Sequence, residues 1–511
     1  MNKFIVGECV DYTYDGKGIV KGEGITVFVP GIIRGEKAKI EIIHKSNNQT
    51  LGVVKEFITT SNQRVKPKCK VAAECGGCAL QHMTYEAQLE FKREHVKECL
   101  AKIGHINVDV NNTLGMATPY NYRNKTQVPF TCKKGKVKYG FYKQDTHDVV
   151  SFDKCLIQTE LADEILKVTK SLMEKFKIDA YDEDKRKGVI RHVLVRVGVH
   201  TNEAMIVLVT NTETFPNRKL LVKELLKAFP TVKTIVQNIN HRDTNVILGE
   251  KEFTLFGKGY IEDYILGVKF KISSKSFYQV NPSQTEVLYS KAIEMAKLDK
   301  NDLIIDTYCG IGTIGLIASK HVNRVLGVEI VKEAIVDAKN NANLNNIKNA
   351  TFVCDDAARF MVDLAMANEK IDVIFLDPPR KGLDTSLIES VLKLKPRKVV
   401  YISCNPSTLA RDLSFLKELY NITEVQPVDM FPHTYHVETV ACLELKEDNV
   451  VVLTLTDGDT MTIEGTWEQT GKNITFTFVE EGETVLIEGV QNGKEITVDF
   501  LGEVIVVVEK Q

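Results

Sequence analysis

The sequence predicts an α/β protein built around an open, mostly parallel sheet with helices on both faces, flanked by β-rich segments. Three observations carry that prediction. Residues 303–306 read as a strand that passes through Tyr308-Cys309-Gly310-Ile311-Gly312 into a helical stretch at 314–321, the strand, glycine turn and helix order of a doubly wound fold. Apolar runs at 324–328, 351–353 and 371–376 end in Glu329, in Asp355-Asp356 and in Asp377-Pro378-Pro379-Arg380. A last run at 399–402 is broken by Ser403-Cys404-Asn405-Pro406. Ligands of such sheets bind in the crevice beyond the carboxyl ends of the strands. Cys404 therefore stands where chemistry is done, on the same edge as the glycines and carboxylates.

Residues 6–61 alternate short β-rich runs with glycine turns such as Asp15-Gly16-Lys17-Gly18 and Lys21-Gly22-Glu23-Gly24, which predicts a small closed barrel. Next come Cys69, Cys75 and Cys78, with Gly76-Gly77 between the last two. Three thiols within ten residues on a glycine-bearing loop can converge on one centre, zinc or an iron–sulfur cluster, and the spacing does not choose between them. Cys155 is the best fourth ligand; Cys99 and Cys132 are weaker, Cys99 because it falls in a helical segment.

Apolar positions Tyr85, Leu89, Val96, Leu100 and Ile103 recur at helical spacing and Gly104 stops the helix. Strands at 193–197, 204–210 and 233–238, with helices at 161–176 and 219–228, predict a second sheet. Tyr122-Arg123-Asn124-Lys125 joins aromatic and basic groups as an RNA contact requires, whereas Lys133-Lys134-Gly135-Lys136 reads as a solvated hairpin tip. Ser276-Phe277-Tyr278-Gln279-Val280-Asn281-Pro282 leads into the helix before the first strand of the central sheet.

Length and composition fit a large enzyme. The chain has 511 residues, 43% of them hydrophobic, enough for three or four domains with proper cores. No apolar run approaches the roughly 18 residues of a membrane span, and Met1-Asn2-Lys3-Phe4 does not begin a signal peptide. A cytoplasmic location follows as an expectation, and eleven cysteines there point to metal binding or catalysis over disulfides. The net charge of −2 is an average: residues 451–511 carry 12 acidic and 3 basic groups, and residues 1–143 carry 23 basic and 13 acidic. A positive front part suits a phosphate-rich partner.

Asp306-x-x-x-Gly310-x-Gly312, Glu329 and Asp377-Pro378-Pro379 resemble the S-adenosylmethionine-dependent methyltransferases. With Ser403-Cys404-Asn405-Pro406 and His436-Val437-Glu438-Thr439 added, residues 6–445 resemble one family, the RNA uracil-C5 methyltransferases. The resemblance implies a class I Rossmann-like catalytic domain at 266–447. It also implies an OB-like TRAM barrel that binds RNA at 1–62 and a central α+β domain at 63–265 with a [4Fe-4S] cluster on Cys69, Cys75, Cys78 and Cys155.

Cys404 is then the nucleophile that adds to C6 of uracil, and Glu438 the base that removes the C5 proton, with His433 and His436 as rivals. The donor contacts implied are Gln279, Tyr308, Gly310, Gly312, Glu329 at the ribose, Asp356 near the adenine and Asp377 near the methionine end. Some relatives carry asparagine in place of Thr313 and Asp356. The RNA implied is 23S rRNA, with transfer RNA as the alternative, bound by a monomer with no DNA or membrane partner.

Other chemistries fit less well. A nicotinamide enzyme matches the glycine turn alone. Cytosine-C5 RNA enzymes place a cysteine directly after Asp-Pro-Pro, where this chain has Arg380. Amino-group methyltransferases and a non-catalytic iron–sulfur assembly factor both leave Cys404 and Glu438 without a task. Beyond residue 448 the resemblance ends. Runs at 450–456, 474–478, 485–487, 496–500 and 504–508, with Asp457-Gly458-Asp459 and Asn492-Gly493 as turns, predict an acidic antiparallel meander at 448–511.

Overall fold

The computed structural model describes residues 4–46, 49–133, 136–143, 146, 148–183, 185–244 and 246–446, and the backbone of strands between 450 and 498. It divides into two units, Met1–Glu444 and Leu445–Gln511. Among the described residues, no helix is long and apolar enough to cross a membrane.

The first unit opens with a closed five-stranded barrel. Its strands β1 (Phe4–Tyr12), β2 (Gly18–Gly22), β3 (Ile25–Val29), β4 (Lys37–Lys45) and β5 (Thr50–Thr59) are ordered β1-β2-β3-β5-β4. β1 alternates exposed and buried positions, so Ile5 and Cys9 meet Val20, Val27 and Ile40 inside; that is the period of two of a strand with one buried face. Glu36, fully buried, receives Arg64 Nε at 2.6 Å and ties the chain leaving the barrel back onto it.

Helix α1 (Tyr85–Lys102) begins at Thr84, whose side chain accepts from the Ala87 N–H, an N-cap that satisfies one free donor of the first turn. Ile103, expected on the inner face, is the C-cap and is 45% exposed. Lys92 is buried instead, because its ammonium has a partner in the catalytic domain.

A seven-stranded sheet follows, ordered β12-β11-β10-β9-β6-β7-β8. It is made from β6 (Lys125–Lys133), β7 (Lys136–Tyr142), β8 (Val149–Ser151), β9 (Ile190–Val197), β10 (Ala204–Thr210), β11 (Val232–Ile239) and β12 (Lys251–Gly257), with α2 (Glu160–Phe176) and α3 (Arg218–Ala228) in the connections. β9 and β10 are buried at every position. Residues of α2, α3 and the sheet share one core, Leu166, Met173, Leu221 and Leu225 meeting Val193 and Ile206. Lys134 and Gly135 of the expected hairpin tip lie outside the described residues. The hairpin β13 (Tyr260–Ile265) and β14 (Val268–Ser273) leads to α4 (Pro282–Ala296), with Asn281 as N-cap.

The expected doubly wound sheet is present. β15 (Leu303–Thr307), β16 (Arg324–Glu329), β17 (Ala350–Cys354), β18 (Val373–Leu376) and β19 (Lys398–Ser403) run parallel in the order β17-β16-β15-β18-β19. Between them lie α5 (Thr313–Ala318), α6 (Lys332–Leu344), α7 (Ala357–Met366) and α8 (Thr385–Leu394). After α9 (Pro406–Leu416), β20 (Tyr420–Val428) forms the edge, and β21 (Glu438–Leu445) inserts between it and β19, antiparallel to β19.

The second unit is an antiparallel meander of β22 (Val450–Asp457), β23 (Asp459–Thr470), β24 (Asn473–Glu480), β25 (Glu483–Asn492) and β26 (Glu495–Val498) in chain order. The sequence reading missed β23, because its glutamates, threonines and Gly465 interrupt any apolar run. Gly458, Gly493 and the expected strand at 504–508 lie outside the described residues.

Candidate active site

The crevice is built from the carboxyl ends of β15, β16, β18 and β19 and the amino end of β21. The last paired residues of β19 and β21 are Ser403 and Thr439. One step further come Cys404 and Glu438. The register thus brings near each other a thiol and a carboxyl that lie far apart in sequence, and Glu438 bears on the Cys404 thiol.

Cys404 is a free, half-buried thiol at the start of the α9 turn. Asn405 caps α9 through Ser407 N at 3.1 Å, and its Nδ2 donates to the Arg380 carbonyl at 3.1 Å. Asn405 therefore fixes the cysteine turn to the Asp377-Pro378-Pro379-Arg380 turn. Burial pushes the Cys404 thiol up to about 11, helped by Glu438 and Asp377 and opposed by Arg380. Glu438 is 5% exposed. Burial first, then Asp377, raises its carboxyl well above the usual range, against Arg380. The rivals differ: burial pushes His433 and His436 down to about 4, so both are neutral and weak bases at pH 7.

The expected donor residues line the same edge. Tyr308 has φ +59°, a left-handed conformation that a bulky side chain holds only at a cost. Gly310 has φ +55° with open space where a Cβ would stand, whereas a Cβ on Gly312 would lie 2.8 Å from Phe352 Cζ. Glu329 accepts from Gly310 N at 3.2 Å and Val331 N at 2.9 Å, which fixes its carboxylate at the glycine turn. Burial raises Asp377 to about 7. Asp356 is exposed and caps α7 through Ala358 N and Arg359 N, so the structure gives it a local task.

Gln279 is half-buried, and its carbonyl accepts from Asn124 Nδ2 at 3.0 Å. Phe277 beside it is 69% exposed. Tyr122 and Asn124 are buried, which corrects the reading of 122–125 as an open aromatic and basic surface. Tyr122 OH donates to the Pro432 carbonyl at 3.1 Å and so braces the segment before Glu438.

Two further residues belong here, Tyr289, which sequence reasoning passed over, and Asp306, which it quoted only as part of the glycine-turn motif. Tyr289, buried on α4, hydrogen-bonds the Gln279 side chain and faces Asp377, Asp306 and Glu438. An aromatic on an apolar helix face reads as core, so no sequence signal marks it. Asp306 is buried; its Oδ2 accepts from Gly315 N at 2.7 Å, while Oδ1 has no hydrogen-bond partner.

The cysteine loop forms a second candidate site. The Cys78 thiol faces Cys155, Cys75 and Cys69, and burial pushes it up to about 12 and Cys155 up to about 11. All four are free thiols. The four thiols expected from the sequence are a donor set that suits zinc or an iron–sulfur cluster. Among the described residues, however, no three His, Cys, Asp or Glu side chains stand at metal-holding distances.

Comparison with known proteins gives the context. Residues 84–446 match the family described as tRNA (Uracil-5-)-methyltransferase. A protein of Bacillus cereus named as an RNA methyltransferase is 47% identical over 448 residues, covering 87% of this chain and 97% of its own. One from Staphylococcus aureus, also named as an RNA methyltransferase, is 44% identical over 447 residues, covering 87% and 99%. Among solved structures, the Pyrococcus abyssi tRNA (uracil-54, C5)-methyltransferase in complex with S-adenosyl-L-homocysteine aligns with TM-score 0.69 and 28% identity over 86% of this chain and all of that one.

Proposed function

The chain belongs to the tRNA (uracil-5-)-methyltransferase family, with a class I methyltransferase fold behind an N-terminal barrel, and methylates C5 of uracil in RNA with S-adenosylmethionine; from that premise we propose its catalytic residues and its RNA. Cys404 attacks C6 of the target uracil as a thiolate. The C5=C6 electron pair moves into the ring as an enolate, and C5 takes the donor methyl. Glu438 then removes the C5 proton, the C–H pair restores the C5=C6 bond, and the C6–S bond breaks with its electrons on Cys404. Thiolate is both a strong nucleophile and a good leaving group.

The observation that supports this reading is the register of β19 and β21, whose last pair, Ser403 and Thr439, leaves Cys404 and Glu438 as the adjoining residues, with Glu438 acting on the Cys404 thiol. Glu438 suits the base because burial strengthens its hold on a proton, as general-base work at neutral pH requires. Gly310 and Gly312 admit the donor, Glu329 holds its ribose, Asp356 stands near the adenine, Asp377 at the methionine end, and Tyr308 and Gln279 pack on it. The target uridine leaves its stack to reach the thiol, and the TRAM-type barrel grips the RNA around it.

Cys69, Cys75, Cys78 and Cys155 hold a [4Fe-4S] cluster. Its contribution is to fix this loop, because the reaction moves no electrons. The enzyme acts in the cytoplasm as a monomer. We assign 23S rRNA as the substrate, because a TRAM-type barrel joined to a cysteine cluster resembles the ribosomal enzymes. Transfer RNA is the second reading, favoured by the family description and by the Pyrococcus enzyme.

RNA carrying 5-fluorouridine tests the chemistry, since fluorine cannot leave as a proton and the adduct persists. Donor-dependent covalent trapping on Cys404 is the expected result; bound but untrapped RNA overturns it. Mapping methylated uridines in a deletion strain decides the substrate: lost 23S methylation supports the first reading, and intact rRNA with a missing transfer-RNA methyl supports the second.

A further inference from the structure

The crevice holds an excess of negative groups. Asp306 on β15, Glu329 on β16, Asp377 after β18 and Glu438 on β21 come from four strands of one sheet edge. Asp306 faces Asp377 and Glu329, and Glu438 faces Asp377. The other groups around Glu438 are the Cys404 thiol, the Tyr289 hydroxyl and Arg380. His436, two residues earlier, faces Arg380, Lys92 and Arg123. Among the described residues Arg380 is the one cation facing Glu438, and it is exposed. The buried, unpartnered Oδ1 of Asp306 belongs to the same cluster. Buried charge of one sign without a counter-charge is avoided by taking up protons.

Resting on the assignment of Cys404, Glu438 and the donor site above, we propose that the positive charge on the donor's sulfur is the missing counter-charge, and that its loss during methyl transfer switches Glu438 from proton-free to proton-accepting. With no donor present, burial and then Asp377 favour the protonated form of Glu438. A sulfonium at the Asp377 end neutralises part of the cluster, and Glu438 gives its proton to solvent. Methyl transfer then breaks the S–CH3 bond, leaves the electron pair on sulfur and makes the donor a neutral thioether. The cluster regains its excess negative charge at the moment the C5 proton must leave. That proton goes to Glu438, and the thiolate of Cys404 departs. A unit charge ~6 Å away in an effective dielectric of ~20 changes a carboxylate's proton affinity by roughly a hundredfold.

The test is proton counting by calorimetry on the full chain at pH 7, in buffers of different ionisation heat, with S-adenosylmethionine and S-adenosylhomocysteine as the two ligands. The donor is expected to release about one proton more than the product, and Glu438→Gln is expected to abolish that difference while both ligands still bind. Equal release by the two ligands on the wild-type chain overturns the proposal, as does a difference that survives in Glu438→Gln. Infrared difference spectra of the wild type give a check independent of any variant: a protonated-carboxyl band present with product and lost with donor is expected, and its presence with both overturns the switch. Fluorouridine trapping separates the two levels: adduct formation with equal proton release sinks the switch alone, and absent trapping sinks the catalytic reading beneath it.

Discussion

Lys92 of α1 and Asp429, just after β20, form an ion pair with both side chains fully buried. Asp429 also accepts from Tyr85 OH at 2.7 Å, and Lys92 Nζ donates to the Phe431 carbonyl at 3.1 Å. Gln88 Oε1 accepts from His433 N at 3.0 Å, and Leu80 N donates to the His433 carbonyl at 2.9 Å. The segment leading to Glu438 is thus held by α1 and by the loop that carries Cys78.

Lys92→Met leaves the Asp429 carboxylate buried without its cation. Loss of one partner of such a pair costs about 3–5 kcal/mol. Urea unfolding of the unit 1 signal is expected to show that loss, with most of it recovered in Lys92→Met/Asp429→Leu; a single variant within about 1 kcal/mol of wild type contradicts the account.

Glu438→Gln keeps the shape of the base and removes its proton affinity. Covalent Cys404–RNA adduct is expected to accumulate on ordinary uridine RNA, with product release slowed on the order of 10²-fold or more. Denaturing gels with labelled RNA make the measurement; slow turnover without adduct assigns proton removal elsewhere.

Gly310 and Gly312 separate space from strain. Gly312→Ala meets Phe352 and a left-handed backbone, and about 3 kcal/mol of stability is expected to be lost. Gly310→Ala has room for its methyl group and pays about 1–2 kcal/mol for the backbone, yet it fills the space assigned to the donor. Paired unfolding and donor-binding titrations on both variants check this: Gly310→Ala is expected to weaken binding out of proportion to its stability loss.

Glu36 gives the barrel a pH limit. Burial raises its carboxyl, but the Arg64 side chain and the Ile33 and Ser61 N–H groups outweigh burial and leave it below the usual value. A carboxylate whose folded value is depressed stabilises fully above its unfolded value, about 4.3, and loses that stability as pH falls through the folded value. Acid unfolding below about pH 4.3 is expected to flatten in Glu36→Gln, which also starts about 2 kcal/mol less stable at pH 7. An unchanged acid profile counts against Glu36 as the group involved.

Deleting residues from 449 onward is expected to leave methylation of RNA intact. The family match ends at residue 446, and Leu445–Gln511 forms its own unit. Complete loss of activity in a soluble truncated chain would show that the meander contributes to catalysis.

Much of the candidate site was legible because its strands are short apolar runs ending in the groups to which the chemistry is assigned. Cys404, Asp377 and Glu329 all stand at such ends. Residue type misled where a long-range partner decides burial. Lys92 looks like a solvated helix position and Ile103 like core, yet the ammonium is buried by Asp429 and Ile103 falls beyond the last turn. Tyr289 was hidden for the opposite reason, since only the fold shows that an apolar helix face carries a hydroxyl to the carboxylates. Tyr122 was misread because an aromatic beside arginine and lysine looks open from sequence, whereas it is buried with its hydroxyl at the Pro432 carbonyl.

β21 runs against the strand beside it, and its pairing with β19 closes at Ser403 and Thr439, one residue short of Cys404 and Glu438. The spacing of Cys404 and Glu438 is consequently governed by the hydrogen-bond ladder together with the contacts that Asn405 and His433 make on either side. Segments outside those contacts, the barrel strands among them, can change without moving this pair, which makes them the natural place to redirect the enzyme.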